Sequence, residues 1–148
     1  MSYEKSITVD LGGGRPIPQP RQRHRVVVPK DRSAKPYVHN YTPANDPVND
    51  YKRIIRLAFN GVPMIEAGLL MEIEFVFPRL QSMIHKKKPM LPDRHKKKPD
   101  LDNLAKSVLD CLSGLLYKDD SQIYSLKLFK RYHEEPGKSF VCIKWFSV

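Results

Sequence analysis

His95-Lys96-Lys97-Lys98-Pro99 runs without a break into Asp100-Leu101-Asp102-Asn103. Cations crowded this closely repel one another, which keeps them out of a packed core unless an anion joins them. The carboxylates that follow suit a helix start. An Asp at the N-cap accepts a backbone N–H, worth ~1 kcal/mol, and an Asp in the first turn complements the helix dipole. The reversal therefore predicts a basic segment feeding a helix over 101–116. Leu101, Leu104, Val108, Leu112 and Leu115 form its buried stripe, and Gly114 weakens its last turn.

The remaining elements follow from periodicity. Lys5 to Asp10 reads as a short strand with Ile7 and Val9 on one side. Gly12 to Arg25 is rich in Gly, Pro and Arg and has few ways to form regular structure. It is either an idle loop or a basic arm that touches phosphates through Arg21, Arg23 and Arg25. Val26-Val27-Val28 and Tyr37-Val38 suggest a small extended pair. Asp46 is an N-cap with Pro47 in the first helical position; Val48, Tyr51, Ile54, Ile55 and Ala58 face inward, and Asn60-Gly61 stops the helix. Leu70 to Phe77 alternates Met71, Ile73, Phe75 and Phe77 against Glu72, Glu74 and Val76, the mark of a half-buried strand. Two further strands, 122–132 and 139–146, flank the turn Glu134 to Lys138, with Tyr124, Leu126, Leu128 and Val141, Ile143, Trp145 as inward sets. Strand, helix, strand, helix, strand, strand implies an α+β fold. We expect one domain with a small mixed or antiparallel sheet and two main helices.

Charge narrows the partner. Lys and Arg number 26 against 16 Asp and Glu, a net charge of +10. A chain this basic favours a polyanion, because neutralising phosphates releases condensed counterions. No helix is basic and amphipathic along its length, which weakens an anionic membrane surface as the partner. Seven cations lie between positions 86 and 98: Lys86, Lys87, Lys88, Arg94, Lys96, Lys97 and Lys98. They form either a solvated loop or one that binds DNA. The cysteines, Cys111 and Cys142, form no Cys-x-x-Cys pair, so a zinc ribbon is not expected. No apolar run is long enough to cross a membrane, and no secretory signal is visible. The expectation is a soluble, cytoplasmic protein.

Asp119-Asp120 follows the second helix. If the next strand turns back along that helix, Asp100, Asp102, Asp119 and Asp120 converge beside the basic segment. Hard cations such as Mg²⁺ take one or two carboxylates plus waters and phosphate oxygens, which suits this donor set. Lys106 lies four residues beyond Asp102 and four before Asp110. That spacing fits exposed ion pairs worth ~0.2–0.5 kcal/mol each. It equally fits a lysine that stabilises charge on a reacting phosphate. Together the groups point to a metal-dependent nuclease, with a non-catalytic nucleic-acid-binding protein as the alternative.

Lys98-Pro99-Asp100-Leu101-Asp102-Asn103-Leu104-Ala105-Lys106, then Asp110, then Lys118-Asp119-Asp120-Ser121-Gln122-Ile123, resembles the RusA family of Holliday-junction resolvases, especially its phage-encoded members. The resemblance implies a dimeric endodeoxyribonuclease that binds four-way junctions and nicks two strands symmetrically with Mg²⁺ or Mn²⁺. Its place would be DNA recombination or repair in a bacterial or phage-infected cell. By motif position it implies catalytic roles for Asp100, Asp102, Asp120 and Lys106, with Asp119 on a further acidic position. Flaps and forks are alternative substrates, and the basic loop insert over 79–99, between Arg79 and Pro99, has no counterpart that can be carried over.

Overall fold

In the computed structural model, residues 3–31, 33–84 and 93–147 are described. In chain order they form β1 (Tyr3–Gly12), β2 (Arg23–Val27), β3 (Tyr37–Tyr41), α1 (Pro47–Ala58), β4 (Leu69–Phe77), β5 (Asp93–Arg94), α2 (Leu101–Leu112), β6 (Ile123–Tyr132) and β7 (Ser139–Ser147). Five strands make one mixed sheet in the order β1-β7-β4-β6-β5, and β2 with β3 forms a separate ribbon. The expected α+β fold, with a mixed sheet and two helices, is what forms.

β4 and β6 run parallel, while every other neighbour in the main sheet is antiparallel. A parallel pair requires a crossover connection, and α2 lies in it. Both helices pack on one face of the sheet. Leu69, Met71, Ile73 and Phe75 of β4 meet Tyr51 and Ile55 of α1 and Leu104, Val108 and Leu112 of α2 in one core. On the opposite face, Glu72 and Glu74 pair with Lys127 at 3.6 Å and Arg131 at 3.2 Å on the neighbouring strand.

Several details differ from the sequence reading. The buried line on α1 is Val48, Tyr51 and Ile55, continued by Phe59, whereas Ile54 is 40% exposed. A period of 3.6 residues carries the first four to one side and rotates Ile54 off it. α2 ends at Leu112 rather than Leu116. Gly114 has a φ of 80°, a left-handed value that breaks the helix and turns Leu116 and Tyr117 back into the core. Tyr124 is 61% exposed rather than inward. Leu69 pairs with Ile123 and Leu70 with Ser125, so Tyr124 is the extra residue of a β-bulge.

The Pro-rich stretch is not an idle loop. The buried Ser107 hydroxyl donates to the Ile17 carbonyl at 2.7 Å, and the Gln19 N–H donates to the Asn103 carbonyl at 2.9 Å. These bonds strap residues 15–19 along α2. His95 belongs to the basic run but is buried between Phe77 and Tyr132, with ring centroids at 4.4 and 4.6 Å. Burial lowers its pKa. The two ends of the insert are tied to one short stretch of chain: His133 N–H donates to the Phe77 carbonyl at 2.8 Å, and β5 pairs with Arg131 and Tyr132. Among the described residues, no helix is long and apolar enough to cross a membrane.

Candidate active site

Asp100 occupies the N-cap position of α2, and its main-chain carbonyl accepts the first helical bond, from Leu104 N–H at 3.1 Å. Its carboxylate makes no capping bond and is exposed. Asp46 behaves differently at the same position of α1, where its carboxylate accepts the Val48 N–H at 3.0 Å. The ordinary reason for an Asp at a helix start is therefore met at α1 and not at α2. Asp102, in the first turn, is exposed as well.

Opposite this junction stands a residue the sequence reading passed over. Lys130 lies on the β6 face that carries Leu126, Leu128 and Tyr132, and its ammonium donates to the carbonyls of Lys97 at 2.5 Å and Pro99 at 2.8 Å. Burial lowers its pKa, and the charge of Asp100 opposes that shift. A lysine in line with Leu126, Leu128 and Tyr132 on one face of the strand was the available signal. Lys130 thus fixes the last residues before Asp100.

Asp102, Lys106 and Asp110 line one exposed stripe of α2. Among the described residues, Lys106 has no carboxylate within 4.0 Å, so its ammonium is uncommitted. At the far end of the helix, the Asp119 carboxylate accepts the Ser121 N–H at 3.0 Å and closes a single 3₁₀ turn. The Gln122 side chain accepts from Lys118 and Asp119 N–H and donates to the Ile65 and Ala67 carbonyls, locking that turn to the loop before β4. Asp120 is left pointing to solvent. A hydrogen bond shared with Asp119 holds the Asp120 carboxyl above its ordinary pKa, whereas the Ser121 N–H lowers that of Asp119.

The carboxylates fall into two groups. β6 does turn back along α2, but Asp119 and Asp120 precede it, so they lie at the helix C-terminus, near Asp110. From Asp100 to Asp110 is ten residues, ~15 Å along a helix axis. Among the described residues, no three His, Cys, Asp or Glu side chains are close enough to hold a metal ion.

The basic residues gather at the Asp100 end. Arg94, Lys96, Lys97 and Lys98 are exposed on the segment that Lys130 anchors. Lys98 and Asp100 share a cleft of about 460 Å³ with Arg15 and Gln19. Arg23 and Arg25 lie on the β2–β3 ribbon, whose aromatic and basic side chains are exposed, and the Arg25 guanidinium sits 5.9 Å from the Tyr41 ring centre. Arg21 is exposed just before the ribbon, and Lys86, Lys87 and Lys88 lie outside the described residues.

The model of the endodeoxyribonuclease RusA family matches residues 13–144. The uncharacterised protein YqaN of Bacillus subtilis (strain 168) is 33% identical over 129 residues, covering 83% of this chain and 86% of that protein.

Proposed function

The chain belongs to the RusA endodeoxyribonuclease family, and from that premise we propose that it is a one-domain, Mg²⁺-dependent nuclease that binds four-way DNA junctions and resolves them by paired, symmetric nicks. The observation that carries the reading is the uncommitted Asp100 carboxylate, exposed where the basic segment meets α2. A helix cap needs no such vacancy; a ligand for a hard cation does.

The donor chemistry fits Mg²⁺ or Mn²⁺. Asp100 and Asp102 offer oxygens at one end of α2, and Asp120 with Asp119 at the other. The raised carboxyl of Asp120 marks a crowding that a cation relieves. An ion held by these carboxylates would supply an acidified water and offset charge on the scissile phosphate. The side chains do the rest. Lys106 approaches the phosphate and stabilises the charge that develops on it. Arg94, Lys96, Lys97 and Lys98 hold flanking phosphates, and Arg21, Arg23 and Arg25 hold an arm of the junction.

Because the two carboxylate groups stand apart within a chain, the donor set is completed between protomers. A two-fold dimer that sets the Asp100–Asp102 end of α2 against the partner's Asp120 forms two equal sites, matching a junction cut at two symmetric positions. The test uses Asp100→Asn and Asp120→Asn. Each alone abolishes Mg²⁺-dependent cutting of a synthetic junction while binding persists. Mixed after co-refolding, the two variants form heterodimers with one intact composite site, and single nicks reappear. Silence of the mixture would place the whole site within one chain. Cutting that survives EDTA, or either substitution, would overturn the metal site itself.

A further inference from the structure

The cleft beside Asp100 extends past the two residues, Lys98 and Asp100, that the chemistry above uses. Its volume, about 460 Å³, lies in the range of small-ligand sites, ~300–1,000 Å³. Pro16, Pro18 and Pro47 give it flat apolar walls, and Arg15 and Lys98 stand on its lining. Gln19 also lines it, and the Gln19 Oε1 is buried with no hydrogen-bond partner. A buried amide oxygen without a donor is costly, and a ligand that brings an N–H relieves it.

We propose that this cleft receives one nucleotide unstacked from the DNA next to the scissile phosphate. This rests on the nuclease reading, since it takes Asp100 as the mark of the cut. Three observations select a nucleotide over another small molecule. The walls offer faces against which a planar base packs. The two cations suit the phosphate attached to it. The orphaned Gln19 oxygen, once its side chain turns outward to the cleft it lines, accepts from a base N–H. The position adds a fourth: Asp100 itself lines the cleft, so DNA held at that carboxylate places its neighbouring nucleotide at the opening. Unstacking costs least where pairing is already interrupted, as at a branch point, so the seat favours branched over continuous duplex.

The test is fluorescence of 2-aminopurine placed in turn at each nucleotide flanking the mapped cut. The full-length protein is used, with Ca²⁺ replacing Mg²⁺ to hold the uncut complex. No aromatic side chain lines the cleft to quench the probe, so unstacking into it brightens the signal. We expect the wild-type protein to brighten one flanking position by about three-fold or more. Asn103→Ala, which leaves the cleft open, retains the effect. Asn103→Leu, which narrows it without adding a ring that could quench the probe, loses the effect and slows cutting by about 10-fold, in keeping with the loss of one base contact. Circular dichroism confirms that both variants fold. Cutting by the wild-type protein without brightening at any flank overturns the seat and leaves the nuclease standing. Brightening undiminished in Asn103→Leu also overturns it, because the base then lies elsewhere. Absence of cutting by the wild-type protein in Mg²⁺ overturns both.

Discussion

Replacing Lys130 by Met keeps a long side chain on the inner face of β6 and removes its two charge-assisted hydrogen bonds, to Lys97 and Pro99 carbonyls at 2.5 and 2.8 Å. A hydrogen bond to a charged group contributes about 1.5–3 kcal/mol. Lys130 is only half-buried and Lys97 is exposed, so water replaces part of what is lost. Burial also lowers the lysine's pKa, a desolvation cost that the substitution removes. The net destabilisation we expect is ~2 kcal/mol, or roughly 4–8 °C in Tm for a chain of this size. The larger effect falls on the reaction. The freed carbonyls directly precede Asp100, and a misplacement near 1 Å costs about 100-fold in rate. Single-turnover cleavage of a four-way junction in Mg²⁺, with enzyme in excess, should slow by ~10–100-fold. The Kd for the same junction in Ca²⁺ should change by less than about 3-fold, since no phosphate contact is lost. Lys130→Arg, which can still donate to both carbonyls, should recover much of the rate. A lowered Tm with a wild-type rate would refute the argument, and so would a loss confined to binding.

Two other outcomes follow from the same geometry. Asp120, raised by its hydrogen bond with Asp119, is where that pair takes up its first proton as pH falls. The signs are opposite within the pair. The raised Asp120 favours folding less above its pKa and regains that as pH falls through it, whereas the lowered Asp119 stabilises above the ordinary Asp value and loses this on acidification. A protonated Asp120 is a poor metal ligand, so the acid limb of the cleavage profile should move to lower pH in Asp119→Asn, which keeps the cap; an unmoved limb excludes Asp120 from the site. Ser107→Ala should cost about 1–2 kcal/mol in urea denaturation and speed tryptic cutting at Arg21 and Arg23, because the Ile17 carbonyl loses its buried donor; unchanged proteolysis would show the strap is held by other contacts.

Much of the architecture is legible in local pattern. The Asp46-Pro47 start of α1, the alternation of β4 and the turn before β7 each have a short-range cause, and each appears where the pattern puts it. What the pattern misses is tertiary. The end of α2 depends on Leu116 and Tyr117 reaching a core that sequence alone does not draw. The bulge at Tyr124 depends on the register of β4 against β6, two segments far apart in the chain. The site divides in the same way. Asp100, Asp102, Asp120 and the basic segment are visible as residue types in a spacing, but their separation along α2 follows from the direction of β6. The Gln19 strap acts through partners distant in sequence and carries no local mark, and Lys130 is marked only by its place on the apolar face of β6.

The tethering of both ends of the insert to the last residues of β6 has an evolutionary consequence. A chain whose ends are pinned side by side can gain or lose residues at little cost, since doubling a loop adds only ~0.6 kcal/mol of closure entropy. The fold on one side and the position of Asp100 on the other are both insulated from such changes, because the pins lie at Phe77–His133 and at Asp93 to His95. Selection is then free to rewrite the length and charge of this segment from one family member to the next. Divergence in the DNA that such proteins grip should accumulate between residues 78 and 92 long before it touches the helix that begins at Leu101.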